Sequence, residues 1–274
     1  MGPGRPGEVS GAEECPTPVR IGTGVWSEGT ELVGLADILA FSPHPDDVEI
    51  GAGGTLARHC RLGHEVVVCD LTLGELATNG APETRAAESR EAARLLGLAA
   101  REVLGLRDRE LEPSPERIRV VAEAVRRWRP RLVLAPCADD RHPDHAAAAR
   151  LVREAVFSAG LARFPAAGEP HRVARVLHYF VNARPQPSFV VDVSEVYEVK
   201  RAALAAYVTQ FGPAASGRAE SRPGAGPVAS PLTEGYLEWV ELRDTWYGSL
   251  AGVARAEGFL WDGTLAVADL IRNL

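Results

Sequence analysis

Two short stretches concentrate the side chains that could do chemistry. His44-Pro45-Asp46-Asp47 and Asp139-Asp140-Arg141-His142-Pro143-Asp144-His145 each contain the tripeptide His-Pro-Asp. Two histidines and one carboxylate around an open fourth position form a common ligand set for a catalytic zinc ion, with water completing the shell. Alone, either stretch reads as a turn or a helix N-cap, the usual role of Asp after an apolar run. Occurring twice, each time behind an apolar run, they read as two halves of one site. The cluster "GAGGT" (51–55) follows the first stretch. It lacks the full G-x-G-x-x-G fingerprint and a P-loop lysine, and the carboxylates before it would repel a pyrophosphate, so dinucleotide binding is not expected. These glycines read instead as a tight strand-to-helix turn that lets backbone approach the site.

The elements that must position these residues follow from periodicity. Apolar runs at 35–42, 64–72, 101–106, 131–137, 175–180 and 189–193 read as strands. Between them, i, i+3, i+4 patterns predict helices over about 53–62, 83–97, 115–128 and 144–159, with Gly97 as a C-cap and Pro115 in a first turn. Ser194 is a candidate N-cap for a helix to about Val208, and 236–259 reads as one long amphipathic helix. Alternating strands and helices predict an α/β fold: a Rossmann-like, mainly parallel sheet flanked by helices, with ligands at the carboxyl ends of the strands. Both His-Pro-Asp stretches fall at such ends. Residues 1–30 read as a flexible extension, and 31–274 as a single domain with a low-complexity loop at 212–231.

Composition narrows the function classes. With 30 Lys+Arg against 37 Asp+Glu and a formal charge of -7, the 274 residues offer no general attraction for nucleic acid. Cys15, Cys60, Cys69 and Cys137 form no C-x-x-C pair, which favours reduced thiols. No signal-peptide pattern and no membrane-length apolar run is present, so the expected location is cytoplasmic, with no membrane partner. A homo-oligomer is compatible with this composition.

Together, "AFSPHPDDVEIGAGGT", "DLTLGELATNG", "ETRAAESREAARLLG" and "RHPDHAAAARLVREAVF" resemble the LmbE/PIG-L family of zinc-dependent N-deacetylases over about residues 35–210. More narrowly they are similar to the deacetylases of bacillithiol biosynthesis, which act on N-acetylglucosaminyl malate. The resemblance implies one Zn²⁺ per subunit, or Fe²⁺ or another divalent ion, held by His44, Asp47 and His145. It implies Asp46 as general base, His142 as oxyanion stabiliser or proton donor to the leaving amine, and Asp144 as the partner that orients His142. Arg85 and Arg141 match positions that approach the anionic part of the substrate. The implied partner is a small N-acetylglucosamine conjugate. Alternatives are another such conjugate, a mycothiol precursor or a glycolipid, and a non-catalytic sugar- or metal-binding module, which would have no need of Asp46. "RAEGF" (255–259) echoes the family's carboxy-terminal helix, with Arg255 where an aromatic residue is expected.

Overall fold

The computed structural model describes residues 19–21, 35–212 and 235–264. In chain order the elements are β1 (Val19–Ile21), β2 (Ile38–Ser42), α1 (Asp47–Arg61), β3 (Val66–Asp70), α2 (Pro82–Leu96), β4 (Ala100–Val103), α3 (Pro115–Trp128) and β5 (Leu132–Pro136). There follow α4 (Pro143–Ala159), β6 (Arg175–Tyr179), β7 (Phe189–Asp192), α5 (Tyr197–Ala205), α6 (Val208–Phe211), α7 (Tyr236–Ala251) and β8 (Ala256–Leu260). Apart from Val19–Ile21, the expected extension over 1–30 lies outside the described residues, as does nearly all of the loop expected at 212–231.

The described strands form one sheet in the order β1-β4-β3-β2-β5-β6-β8-β7. Strands β4, β3, β2, β5 and β6 pair in parallel, while β1 pairs antiparallel with β4 and β8 antiparallel with both β6 and β7. The expected mainly parallel sheet flanked by helices is the one observed. Both faces of its centre are covered, which is why the strands read as continuous apolar runs and not as alternations. Ile38, Ala40, Val66 and Val68 pack under α1, α2 and α5; Leu39, Phe41, Val67 and Cys69 pack under α3 and α4. The chain leaves β2 toward β3 and β4, then returns to lay β5 on the other side of β2. Between β2 and β5 the connections therefore diverge, and a crevice opens at their carboxyl ends.

Three local expectations are corrected. Gly51 to Gly54 lie within α1, which begins at Asp47, and not in a turn before it. A Cβ at Gly51 would stand 2.8 Å from the Phe180 carbonyl oxygen, and one at Gly54 would stand 2.8 Å from Cβ of Val193. The glycines thus let the helix lie against the sheet, a packing demand that resembles a turn signal in sequence. The helix expected over 236–259 stops at Ala251, where Gly252 adopts φ 70°, and "RAEGF" falls largely in β8. Ser194 caps no helix: its hydroxyl donates to Asp192 Oδ1 at 2.6 Å and accepts from the Arg255 N–H at 3.1 Å, tying β7 to β8.

A buried polar network joins these outer elements to the centre. Lys200 Nζ, fully buried, donates to Asp244 Oδ2 (2.7 Å), Glu257 Oε1 (2.6 Å) and the Ile50 carbonyl (3.0 Å). Glu257 in turn accepts the Gly54 and Thr55 N–H groups. Elements α5, α7 and β8 are thereby fastened to α1, the helix whose first turn carries Asp47.

Candidate active site

The first His-Pro-Asp stretch is fixed by its own backbone. Ser42, the last residue of β2, donates its hydroxyl to the His44 carbonyl (2.6 Å) and accepts the Val48 N–H (3.1 Å). Asp47 Oδ2 accepts the His44 N–H at 3.0 Å. Between them Asp46 is forced to φ 109°, ψ -30°, a conformation costly for a residue with a Cβ. Its carboxylate accepts a hydrogen bond from Arg85 Nη2 at 3.0 Å. The second stretch opens α4: His142 is the N-cap, its Nδ1 accepting the Asp144 N–H at 3.2 Å, and Pro143 takes the first helical position, where its missing N–H costs nothing. Asp140 Oδ1 accepts the His142 N–H at 2.8 Å.

These two loops meet. His44 Nδ1 lies 3.0 Å from Asp47 Oδ2, and His145 Nε2 lies 3.2 Å from Asp47 Oδ1, so one carboxylate stands between two imidazoles. Ligand atoms of His44, His142 and His145 come within 4.8 Å of one another, as do those of His44, Asp108 and Asp144. The His142 ring centroid is 4.9 Å from that of His44 and 4.8 Å from that of His145. The far nitrogen of each flanking ring faces a carboxylate. His44 Nε2 is 3.2 Å from both Asp108 Oδ1 and Asp144 Oδ2, and His145 Nδ1 is 3.1 Å from Asp140 Oδ1, without full hydrogen-bond alignment. A ligating imidazole ordinarily has such a partner, which fixes its tautomer and raises its basicity. His44 and His145 share a cluster of converging ligand atoms whose third member is His142, and the Asp47 carboxylate stands between their rings, so imidazole and carboxylate donors suited to a divalent metal meet here.

Electrostatics agree with this arrangement. Burial opposes charge on His44 and His145, but the surrounding carboxylates outweigh it: His44 is held well above the ordinary histidine value and His145 rises to about 9. Burial pushes Asp47 up, yet His145 and His44 bring it well below the usual carboxylate range. Asp46 behaves differently, because burial, only partly countered by Arg85, lifts it to about 7. His142 is lowered by burial and by the neighbouring imidazoles, consistent with a neutral ring whose Nδ1 accepts from backbone.

A cavity of about 400 Å³ opens onto this cluster, lined by His44, Asp46, Asp47, His142 and His145 among others. Arg85 and Arg141 also line it, though differently. Arg85 is buried, and its Nη2 is committed to the Pro45 carbonyl (2.7 Å) and Asp46, so it holds the Asp46 carboxylate in place; Arg141 is exposed. Asp144 departs from its expected role: its carboxylate meets His44, and only its backbone N–H reaches His142. Asp108 and Arg109, which follow β4, were absent from the sequence reading of the site. The polar run "RDRE" directly after a predicted strand was the available signal, since it marks a third carboxyl end. Asn182, which orients Asp140 through its N–H and amide, carried no such signal.

With this geometry in view, comparisons with known proteins are specific. Residues 39–156 match the PIG-L family, described as GlcNAc-PI de-N-acetylase. The diacetylchitobiose deacetylase of Thermococcus kodakarensis is 31% identical over 236 residues, covering 81% of each chain. A 1D-myo-inositol 2-acetamido-2-deoxy-alpha-D-glucopyranoside deacetylase of Nocardia farcinica is 31% identical, covering 66% of this chain and 82% of that one. A probable N-acetyl-alpha-D-glucosaminyl L-malate deacetylase 2 of Bacillus cereus is 28% identical, covering 63% and 83%. Among solved structures, the conserved protein TT1542 of Thermus thermophilus superposes with a TM-score of 0.73 at 41% identity, covering 85% of this chain and 98% of that one. On the length and identity of these matches, and with both His-Pro-Asp loops inside the matched residues, the chain belongs to the PIG-L (LmbE/PIG-L) family of deacetylases.

Proposed function

We propose that the chain hydrolyses the N-acetyl group of a glucosamine conjugate, using one divalent metal ion, Zn²⁺ first among the candidates, held by His44, Asp47 and His145. When bound there, the ion would acidify a water molecule and polarise the amide carbonyl. Asp46 carries the reading. It faces the cavity beside Asp47 without belonging to the ligand set, is anchored by Arg85, and is lifted to about 7, where a carboxylate is an effective proton acceptor near neutrality. In this account Asp46 takes the proton of the attacking water. His142, its Nδ1 occupied by a backbone N–H, offers an Nε2–H to the developing oxyanion or to the departing nitrogen. Water adds across the amide C–N bond, giving acetate and a free amine. Asp108 and Asp144 hold the His44 ring, and Asp140 faces His145.

N-acetylglucosaminyl malate is the substrate we favour, on the similarity to the Bacillus relative and the arginines in the cavity. The second reading is a neutral conjugate, supported by the chitobiose and inositol relatives. Acetate release from N-acetylglucosaminyl malate, diacetylchitobiose and the inositol conjugate by metal-loaded protein separates them. The malate reading expects the highest kcat/KM for the first; a higher value for either neutral compound would reject it.

A further inference from the structure

The loop after β4 forms one wall of the cavity, and it contains an unusual backbone. Arg109 adopts φ 68°, in the left-handed region that glycine occupies without steric cost and residues with a Cβ avoid. The main chain does not call for an arginine here. The Arg109 N–H donates to Asp144 Oδ2 at 2.8 Å, a bond that glycine would supply equally well. What the arginine adds is its side chain, which lines the cavity, is 50% exposed, and touches Asp144 Oδ1 through Nη1 alone at 3.3 Å. A non-glycine residue kept in a strained conformation at a cavity is a reason to ask what the side chain does.

The charges around it give an answer. Each carboxylate lining the cavity is engaged, Asp46 by Arg85, Asp47 by His44 and His145, and Asp108 by His44 and the Leu76 N–H; Asp144, behind the lining, is engaged by His44 and the Arg109 N–H. Arg141 is exposed on the same cavity and bonds the neutral amide oxygen of Asn182 at 3.2 Å; no described carboxylate pairs with it. Arg85, in contrast, is buried against Asp46. The lining therefore presents one uncompensated guanidinium and one loosely held, both accessible.

We propose that Arg109 is a specificity-determining residue that, with Arg141, binds a carboxylate on the aglycone of the glucosamine conjugate. This rests on the deacetylase reading and deepens it. A planar guanidinium matches a carboxylate in a two-bond fork, and the acidic residues nearby disfavour a doubly charged phosphate. In this proposal Arg109 takes the role beside Arg141 that the family resemblance implies for Arg85.

The test uses two substrates, N-acetylglucosamine joined to a 2-hydroxy-acid aglycone and the same compound with each carboxylate converted to a primary amide. Metal-loaded wild type, Arg109→Gln and Arg109→Lys are compared in kcat/KM, and calorimetric binding is measured in an Asp46→Ala background. Gln removes the charge while keeping an unbranched polar side chain at the same backbone position; Lys keeps the charge and most of the reach. We expect wild type to favour the acid about tenfold or more, Arg109→Gln to reduce that ratio about fivefold or more through KM, Arg109→Lys to retain most of it, and salt to weaken it. An acid-to-amide ratio unchanged in Arg109→Gln, in turnover and binding, overturns the proposal while leaving the deacetylase reading intact. Equal binding of acid and amide by wild type, or binding of neither, overturns it as well. An Arg109-dependent preference in binding with no acetate released supports the anion site and rejects the deacetylase reading.

Discussion

Asp46 joins a strained backbone to a buried carboxylate, and substitution separates the two properties. Asp46→Ala and Asp46→Gly both remove the base and should lower kcat by about 10²–10⁴-fold. They should differ in stability, because only glycine is at ease at φ 109°: Asp46→Gly should be more stable than Asp46→Ala by about 1–2 kcal/mol in denaturant titrations. Equal stabilities would mean that the backbone relaxes around position 46. Asp47 and its two imidazoles make a second prediction. In the metal-free protein burial opposes charge on His145, but Asp47 and Asp140 outweigh it and push the imidazole up from 6.5 to about 9, so its protonated form should stabilise the fold fully below about 6.5 and this contribution should be lost as pH rises through about 9. A metal needs both rings neutral, so binding must expel protons. Zn²⁺ affinity should rise with pH up to about 9, and calorimetry at pH 7 in buffers of different ionisation enthalpy should register proton release. Affinity independent of pH would place the metal on other ligands.

The position of α1 over the sheet decides where Asp46 and Asp47 point, and its glycines are not equivalent. At Gly53 an added Cβ would meet side-chain atoms only at ordinary van der Waals distance, with Lys200 Cγ nearest at 3.4 Å, whereas at Gly54 it would press on Val193 at 2.8 Å. Gly53→Ala should be neutral or gain up to about 1 kcal/mol of helix propensity, while Gly54→Ala should lose about 1–3 kcal/mol by overpacking. The same helix shows what the sequence could and could not reveal. Runs of apolar residues located β2 and β5, and with them both His-Pro-Asp loops, because strands buried on two faces leave a one-dimensional signature. Glycines inside α1 answer to Tyr179, Phe180 and Val193, far away in the chain, so they were read as a turn. β8 was read as helix for a related reason: five residues, Ala256–Leu260, cannot display a period of their own, and only their pairing with β6 and β7 makes them a strand.

Across the whole molecule, the site is an assembly of three strand ends. β2 contributes His44, Asp46 and Asp47, β5 leads to Asp140, His142, Asp144 and His145, and β4 leads to Asp108 and Arg109. The first two groups announce themselves by a repeated tripeptide; the third is marked locally only by the polar run after β4, and its nearness to the other two depends on β4 lying two places from β2 in the sheet. The resemblance implies Asp144 as the partner of His142, whereas its carboxylate pairs with His44 across the two loops and only its N–H reaches His142, a contact that no local pattern encodes. The central claim is that adjacent carboxylates divide the labour, Asp47 holding metal and Asp46 moving the proton. It is tested most directly by measuring metal content and amine release together in Asp46→Ala and Asp47→Ala, using whichever acetylated glucosamine conjugate wild type turns over best. The account predicts that Asp46→Ala keeps about one metal per chain and loses turnover, whereas Asp47→Ala loses both. Substantial turnover by Asp46→Ala, or full metal retention by Asp47→Ala, would contradict it.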